Sequence, residues 1–417
     1  MATLKEFNPE TDFHIFDDLL KSRPEINVEN LKDDLERYFL PYINKLIEIK
    51  ENKDSLDGVI VGTSAIQGTG KTTQGEILEV LLKHFGYSSV SRSIDDHYIT
   101  HKELCELRER DPRFIRRGVT HDVALAIINL RDLQKMREDP IIVSGYDKGA
   151  HKGDGDRFRW VQVEGKNVTL TLKVSEQDLI VNKALQKVLA TSLEKLLVGE
   201  HELNVSERMG SNIPLIEPFL SAALITFLTE HKDQTFEVTE KDEETLLFKT
   251  EGAELPVSKK ELPVGWRLIA EKPDFIFYDG WMLGAREVED VSIFDSGLPA
   301  LETDEARAFA KVVNKKLDNY IMLWAMIEFM NVLYVPNYEM SLKWRDQAEE
   351  HLREKGEGMT HDQIIEFVHY FWRSVHPAIH IKNLAHNELH AQQVVIINDD
   401  HSEKEVLMPE EVKVKYP

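Results

Sequence analysis

A glycine-rich segment carries the residues whose types and spacing point most directly to chemistry. It reads Ser64-Ala-Ile-Gln-Gly-Thr-Gly-Lys-Thr-Thr73 and follows an apolar run that begins at Val59. Backbone N–H groups of such a turn, with the N-terminus of the next helix, form a pocket for phosphate, and the lysine reaches the β- and γ-phosphates. The pattern predicts that ATP and Mg²⁺ bind here. The predicted nucleotide-binding residues are Gln67, Gly68, Thr69, Gly70, Lys71, Thr72 and Thr73.

Ala65 stands where the general G-x-x-x-x-G-K-[ST] pattern has its first glycine. Two later glycines, Gly68 and Gly70, still keep the backbone permissive where the loop tightens. Apolar residues then recur at helical spacing until Gly86, which is typical of a helix end. We therefore predict a strand, a phosphate loop and a helix, with an ordinary glycine-rich turn as the alternative. The apolar helix positions are Ile77, Leu78, Leu81 and Leu82.

Acidic residues follow two other predicted strands, where open α/β sheets bind ligands. Asp95 and Asp96 come after the second strand, and we expect Asp95 to accept the proton of a substrate hydroxyl and Asp96 to support the metal or substrate. A solvated turn or a helix cap is the alternative for both. Asp279 ends a later apolar run, where a carboxylate holds Mg²⁺ through water, and with Thr72 it forms the predicted metal site.

Three basic or mixed clusters complete the set of candidate residues. Arg116-Arg117 and His121-Asp122 precede a predicted helix, and arginine grips carboxylates in bidentate geometry, although Asp122 equally suits a helix cap. The segment Tyr146 to Arg157 has three glycines among polar residues, a composition that suits an anion or a metal, but it lacks the spacing and terminal glutamate of a calcium loop. Arg345 lies on a charged helix and is placed to reach a transferring phosphoryl group, or simply belongs to a solvated helix face.

Composition and charge exclude several classes of protein. The chain has 417 residues, 42% of them hydrophobic, and a formal net charge of −23, which disfavours nucleic-acid and membrane partners. Cys105 is the single cysteine, so an intramolecular disulfide and a cysteine-rich metal site are excluded. Residues 1–13 show no signal or transit pattern, and no run reaches the roughly 18 apolar residues of a membrane helix. We expect a cytoplasmic protein with a small-molecule substrate.

Alternating apolar runs and helical patterns predict an α/β fold with a mainly parallel sheet. We expect a helical N-terminal extension over 1–55, a core over 56–160 and 263–417, and a small inserted α+β subdomain over 161–262. Within the insertion, helices are predicted over 180–197 and 216–228. In the core, 141–144 is predicted to be a strand of the parallel sheet, and 304–334 one long helix.

Taken together, the clusters resemble the signatures of the D-glycerate 3-kinase family in their order along the chain. This is a branch of the P-loop kinases that includes phosphoribulokinase, uridine kinase and bacterial pantothenate kinase, and its own loop also carries alanine at the first glycine position. The resemblance covers roughly residues 56 to 160 and 265 to 400. The matching segments are Ser64 to Thr73, Ser93 to Tyr98, Arg117 to Asp122, Tyr146 to His151, Gly155 to Arg157, Gly280 to Gly284, the helix positions Asn314, Leu317 and Tyr320, and Trp344-Arg345 with Glu349.

The resemblance implies a P-loop NTPase-type fold and an ATP-dependent kinase. Its expected reaction is transfer of the γ-phosphoryl group to a hydroxyl of D-glycerate, giving 3-phosphoglycerate, or of a similar small polar acid. Lys71 and Asp95 are the implied catalytic residues, with Arg345 neutralising the developing charge. The residues expected on the acceptor side are Asp96, Tyr98, Arg117, His121, Asp122, Tyr146, Lys148, His151 and Arg157.

Some features depart from the family pattern. His97 replaces the aromatic residue usual before Tyr98, and Asp279 stands where glutamate is commoner. The segment from Arg117 to Asp122 is shortened, and the insertion is foreign to compact members. Two alternatives therefore stay open. One is a kinase for uridine, pantothenate or a sugar phosphate, and the other is a nucleotide-regulated binding protein whose insertion contacts a partner.

Overall fold

The computed structural model describes residues 7–137, 141–157, 162–164, 170–173, 227, 230, 235–242, 245–258, 266–269, 272–354 and 358–417. The chain divides into two compact units. The first comprises Met1–Ile94, Arg113–Val119 and Pro273–Pro417, and the second comprises Asp95–Pro112 and Thr120–Lys272. The second unit thus takes in more of the chain than the predicted insertion. The helices predicted within the insertion lie almost entirely outside the described residues.

The described strands and helices follow the chain in this order. The strands are β1 (Val59–Ala65), β2 (Ser89–Ser93), β3 (Ile141–Ser144), β4 (Tyr146–Asp147), β5 (Asp156–Arg157), β6 (Gln162–Glu164), β7 (Leu170–Lys173), β8 (Thr235–Asp242), β9 (Thr245–Thr250), β10 (Ala253–Ser258), β11 (Trp266–Ile269), β12 (Phe275–Gly280), β13 (Phe329–Tyr334), β14 (Gln393–Ile397) and β15 (Glu403–Leu407). The α-helices are α1 (Pro9–Asp12), α2 (Asp17–Ser22), α3 (Val28–Asp34), α4 (Leu40–Glu51), α5 (Lys71–Phe85), α6 (His101–Arg110), α7 (Val123–Lys135), α8 (Asp304–Lys316), α9 (Ile321–Trp324), α10 (Met340–Glu354), α11 (His361–Ser374), α12 (Lys382–Ala385) and α13 (Pro409–Lys415).

The first unit is built on a six-stranded sheet in the order β15-β14-β13-β1-β12-β2. All neighbouring pairs are parallel except β14 and β15, which are antiparallel. Parallel strands of one sheet need crossover connections, and helices supply them here: α5 follows β1, and α10 to α12 lie between the neighbouring strands β13 and β14. The α/β fold with a mainly parallel sheet flanked by helices is therefore confirmed.

The strand β13 corrects one sequence prediction. One helix was expected over 304–334, but the helical part ends at Trp324 and consists of a main helix, a 3₁₀ turn and a short helix. Phe329–Tyr334 instead forms a strand next to β1. All six residues of this strand are buried. A strand covered on both faces has a continuous apolar run, and periodicity alone does not separate such a run from a buried helix segment.

The second unit contains smaller sheets. β10, β9, β8 and β7 form an antiparallel sheet in that order, and β4 pairs antiparallel with β5. The prediction that 141–144 belongs to the parallel sheet is wrong, because β3 pairs antiparallel with β11, with Ser144 opposite Trp266. The partner of a short apolar run is decided by non-local pairing, which a local pattern does not encode.

The helical N-terminal extension packs its apolar face inward. Phe16, Leu35 and Ile43 are completely buried, as their helical spacing predicts. Between α3 and α4 the chain forms one π-helical turn over Leu35–Phe39. In the described part of the chain, no helix combines the length and the apolarity that crossing a membrane requires.

A buried hydrogen-bond network joins this extension to α5 and the sheet. The Tyr38 hydroxyl accepts a hydrogen bond from Gln74 Nε2 at 2.6 Å and one from Asn331 Nδ2 at 3.0 Å. Asn331 lies on β13, and its Oδ1 accepts from Gln393 Nε2 on β14 at 3.3 Å. Buried amide groups must find partners, so the network fixes the extension against the helix that follows the phosphate loop.

We predict that Tyr38→Phe lowers the free energy of unfolding by about 1–3 kcal/mol, because two buried amide donors lose their acceptor. Urea denaturation measures the change. Tyr42→Phe is the matched control, since the ring of Tyr42 stacks on Tyr38 and its buried hydroxyl has no hydrogen-bond partner among the described residues. The control variant should lose no stability. Equal losses in the two variants would contradict the importance of the network.

Candidate active site

The phosphate loop has the backbone geometry that its glycines predict. Gly68 and Gly70 adopt φ angles of 82° and 90°, in the left-handed region that disfavours other residues. Gly70 immediately precedes α5, and a Cβ placed on it would meet nothing within 4 Å. The loop therefore leaves open space at a helix N-terminus, which is a ready site for a phosphate group.

Side chains of the loop hold it in this shape. Lys71 Nζ donates to the carbonyl oxygens of Ala65 and Ile66 at 3.1 and 3.0 Å, and the Thr69 hydroxyl donates to Ile66 O at 2.8 Å. Ala65 is the buried last residue of β1, and its φ is not positive. The backbone at this position is extended, so a glycine is unnecessary there, and the departure from the general motif has a physical explanation.

A tryptophan from α10 covers one side of the loop. A Cβ on Gly68 would lie 2.8 Å from Trp344 Cβ, so only glycine permits this approach. The indole Nε1 donates to Asp399 O at 3.1 Å, and the ring packs on His401 at 4.5 Å between centroids. Gly68, Trp344 and His401 line a cavity of about 550 Å³, which Gly70 and Thr73 also line. Its size is that of a small-molecule site.

The predicted metal ligands both lie in the first unit. Asp279 lies near the end of β12, where it is in register with Thr63 on β1 and Ser93 on β2. Ser93 Oγ donates to Asp279 Oδ1 at 3.2 Å. Thr72 is exposed in the first turn of α5. Carboxylate and hydroxyl oxygens are ligands that Mg²⁺ prefers, so the residues fit this ion, and the metal site stays a prediction.

Arg345 is held by two contacts in the first unit. Its Nη2 bonds to the buried carboxylate of Glu349, and its guanidinium lies 5.0 Å from the ring centre of Phe367. Its Nε has no hydrogen-bond partner among the described residues. Arg116 contacts the same ring, at 4.9 Å. The sequence placed Arg345 on a helix but did not reveal the shared aromatic ring.

In the second unit, Asp95 forms an ion pair with Lys148, at 2.7 Å between Oδ2 and Nζ. Burial alone would raise the pKa of Asp95, but the Lys148 ammonium outweighs it and the pKa falls to about 2. At neutral pH the carboxylate is therefore ionised and accepts hydrogen bonds. A group with so low a pKa binds and orients a hydroxyl proton better than it removes one.

His121 and Tyr98 form a stacked pair beside Asp95. Their ring centres lie 4.2 Å apart at an interplanar angle of 21°. Burial lowers the pKa of His121 to about 3, against the opposing effect of Asp95. The imidazole is neutral at physiological pH, so it serves as a hydrogen-bonding group and not as a cation.

Asp122 caps a helix, which is one of the two roles that the sequence left open, and its role in holding the acceptor stays a prediction. Its Oδ1 accepts from Leu125 N at 3.0 Å and caps α7, while Oδ2 accepts from Arg157 Nη2 at 2.8 Å. Arg157 also donates to Tyr98 O at 3.3 Å, and its buried Nη1 has no partner within the described segments. Among the described residues, the ion pair thus fixes the guanidinium and leaves Nη1 available to a ligand.

The loop between β4 and β5 brings further predicted residues to the same unit. His151 has a φ of 51°, and its Nε2 lies 3.1 Å from Asp156 Oδ2. Tyr146 is buried against Tyr98, and its hydroxyl donates to Asp154 O at 3.4 Å. Asp96 is buried in this unit as well, whereas Arg117 belongs to the first unit.

Sequence reasoning missed a pair of buried acids that also line the cavity. Asp34 is the last residue of α3 and Glu403 the first of β15, and both are more than nine-tenths buried. The two carboxyl groups share a hydrogen bond, and Asp34 also bonds to Arg37. Burial, with Asp34 beside it, raises the pKa of Glu403 to about 9. No local motif marks two single acids so far apart in the sequence.

Two curated proteins are similar to part of this chain. "D-glycerate 3-kinase, chloroplastic" from Arabidopsis thaliana is 34% identical over 122 residues, which is 27% of this chain and 27% of that protein. "Uncharacterized kinase mug58" from Schizosaccharomyces pombe is 31% identical over 140 residues, which is 31% of this chain and 50% of that protein. The matches thus span half or less of each relative. No protein-family model matches the chain.

Two solved structures share the fold. A D-glycerate 3-kinase from Cryptococcus neoformans var. grubii has a TM-score of 0.54 at 16% identity, and the match covers 88% of this chain and 97% of that one. The YGR205w protein has a TM-score of 0.52 at 18% identity, with coverage of 89% and 96%. The resemblance to the D-glycerate 3-kinase family is confirmed in part of the sequence and in the fold.

We predict that Lys148→Met raises the pKa of Asp95 by about one unit or more, because burial is then no longer outweighed by the ammonium. Carbon-13 NMR titration of the aspartate carboxyl groups measures the pKa. Lys148→Arg keeps the charge and is the control. If Asp95 titrates alike in Lys148→Met and in the unchanged protein, the ion pair does not set its pKa.

A second prediction concerns pH and stability. The pKa of Glu403 is raised above its ordinary 4.5, so the folded protein keeps a proton that the unfolded chain releases. The stabilisation is complete below pH 4.5 and is lost as pH rises towards 9. Glu403→Gln should therefore show a smaller fall in unfolding free energy over this range. Urea denaturation at several pH values tests this, and parallel curves for the two proteins would contradict the assignment.

Proposed function

We propose that this chain is an ATP-dependent kinase that phosphorylates a hydroxyl of D-glycerate or a similar small polar acid. The observation that carries the proposal is the phosphate loop, in which Lys71 lies bonded to loop carbonyls beside the open space at Gly70. The partial sequence match to a protein named D-glycerate 3-kinase supports the choice of acceptor. The match of fold to kinase structures supports the class of reaction.

On the nucleotide side, Lys71 exchanges its two carbonyl partners for β- and γ-phosphate oxygens, while the amides of the loop and the start of α5 bind the phosphates. Thr72 and Asp279 are the residues that would hold Mg²⁺, which neutralises phosphate charge when it is bound. Arg345 contributes a further positive charge from α10. The γ-phosphorus bonds to the acceptor oxygen as its bond to the β-γ bridging oxygen breaks, leaving ADP.

On the acceptor side, the second unit contributes groups that bind a hydroxy acid. The Asp95 carboxylate accepts the hydrogen bond of the attacking hydroxyl and orients it. It takes the proton late, because the oxygen becomes far more acidic once its bond to phosphorus has formed. Arg157 is a buried guanidinium whose Nη1 has no hydrogen-bond partner among the described residues, and a carboxylate is its natural ligand. His121 and Tyr146 present neutral polar atoms that suit hydroxyl groups. The chemistry depends mainly on positioning and charge.

The test is ATP consumption by the purified protein with Mg²⁺ and one acceptor at a time. The acceptors are D-glycerate, L-glycerate, pantothenate, uridine and ribulose 5-phosphate. We expect turnover with D-glycerate, and a loss of about 10²-fold or more in kcat for Lys71→Ala, since one charge that stabilises the transition state is removed. Turnover with only a different acceptor would contradict the assignment of D-glycerate as the substrate, but it would leave the assignment as a kinase intact.

Lys83→Ala is the matched control, because it removes the same charge from an exposed position in the last turn of the same helix. This variant should turn over like the unchanged protein. ATP binding without turnover on any acceptor would favour the alternative of a nucleotide-regulated binding protein. Normal turnover by Lys71→Ala would overturn the role of the phosphate loop.

A further inference from the structure

We propose that the cavity beside the phosphate loop binds the base of the nucleotide, and that Asp34 and Glu403 select a 6-amino purine. This inference rests on the proposed function, since it requires a nucleotide at the loop. It goes further, because it assigns a role in nucleotide selectivity to the N-terminal extension and to the last strand of the sheet.

The cavity leads from the loop to the two acids. Gly70 and Thr73 line it where phosphates would bind, and Asp34 and Glu403 line it as well. The volume of about 550 Å³ lies in the range of sites for drug-sized ligands. A nucleotide with its phosphates at Gly70 therefore has room for its sugar and base within one cavity of the first unit.

The other walls suit a flat aromatic ring. Apolar side chains from α3, α5 and two strands line the cavity, together with the indole of Trp344. A purine has two apolar faces and a polar edge, so it gains from burying the faces provided that the edge finds hydrogen-bond partners. The apolar residues are Leu31, Ile77, Leu333 and Ile397.

The acid pair supplies partners of a particular kind. Glu403 shares a hydrogen bond with Asp34, and Asp34 is also bonded to Arg37. With its proton directed at Asp34, the Glu403 carboxyl offers its carbonyl oxygen as an acceptor, and Asp34 offers carboxylate lone pairs. Acceptors suit the exocyclic N–H₂ group of adenine. A 6-oxo purine such as hypoxanthine presents an oxygen at this position, which these acceptors repel.

The pair is held from several sides, so its geometry is defined before a ligand binds. Arg37 approaches from the π-helical turn and pairs with Asp34, and the buried Tyr38 lies on the same turn. Asp400 and His401, which precede Glu403, also line the cavity. A preorganised pair loses little entropy on binding, which favours selectivity.

The experiment measures binding of ATP, ITP and inorganic tripolyphosphate by isothermal titration calorimetry at fixed Mg²⁺ and pH 7. ITP differs from ATP in carrying oxygen in place of the amino group. Tripolyphosphate has neither sugar nor base, so its affinity measures binding at the phosphate loop alone. We expect the unchanged protein to bind ATP at least about tenfold more tightly than ITP. Equal affinities would overturn the inference with no variant required.

Two substitutions sharpen the test. Glu403→Ala removes the acceptor and should weaken the binding of ATP about tenfold, leave the binding of tripolyphosphate unchanged, and leave the binding of ITP unchanged or stronger. Glu403→Gln keeps a carbonyl acceptor and donates an N–H to Asp34, so it should keep most of the selectivity. The matched control is Glu405→Ala on the same strand, whose carboxylate bonds to Lys415 and Tyr416 instead.

The outcomes separate the two proposals. If Glu403→Ala weakens the binding of ATP and of ITP by the same factor, the acids have a structural role only. The inference then fails, while the proposal of nucleotide binding stands. If tripolyphosphate binds in a way that depends on Lys71 and ATP binds no more tightly than tripolyphosphate, the base does not bind in this cavity. Again only the inference fails. If neither ATP nor tripolyphosphate binds, the proposed function fails, and the inference fails with it.

Discussion

The parallel, in-register pairing of β1, β12 and β2 is the constraint on which the first unit depends. Parallel strands end at the same edge of a sheet, so Thr63, Asp279 and Ser93 lie side by side, two residues or fewer from the ends of their strands. The phosphate loop leaves β1 at this edge, and α5 begins there, so that the N-terminus of this helix faces the same side of the sheet as the carboxylate of Asp279. The positions of the candidate phosphate-binding and metal-binding residues are therefore a consequence of how the strands pair, and the flanking helices stabilise that pairing.

Several charged side chains among the candidate residues form ion pairs within the protein. Asp95 is paired with Lys148, Asp122 with Arg157, and Arg345 with Glu349. Such pairs fix long side chains and reduce the entropy that a ligand would otherwise have to remove. Ligand binding at these positions then becomes an exchange of hydrogen-bond partners. Lys71 must also exchange hydrogen-bond partners when it binds a phosphate, since its ammonium is bonded to carbonyl groups of its own loop.

The sequence predicted those parts of the molecule that local chemistry determines. The loop, the buried face of α5 and its end at Gly86 follow from glycine conformations and a helical period, and the structure has them. The strand β13 and the partner of β3 were predicted wrongly, because burial on both faces and pairing between distant segments leave no local pattern. Asp122 shows an intermediate case, in which the carboxylate caps α7 as its sequence position allowed but also pairs with Arg157, a contact between distant residues that no local pattern encodes.

The cavity beside the phosphate loop takes one wall from α3 and another from the turn between β14 and β15. It therefore draws on two segments that lie far apart in the chain. During synthesis the earlier segment leaves the ribosome long before the later one exists, although domains generally begin to fold from the N-terminal side. The walls of this cavity can meet only after β15 has been translated. A chain terminated before β15 would therefore lack the completed cavity.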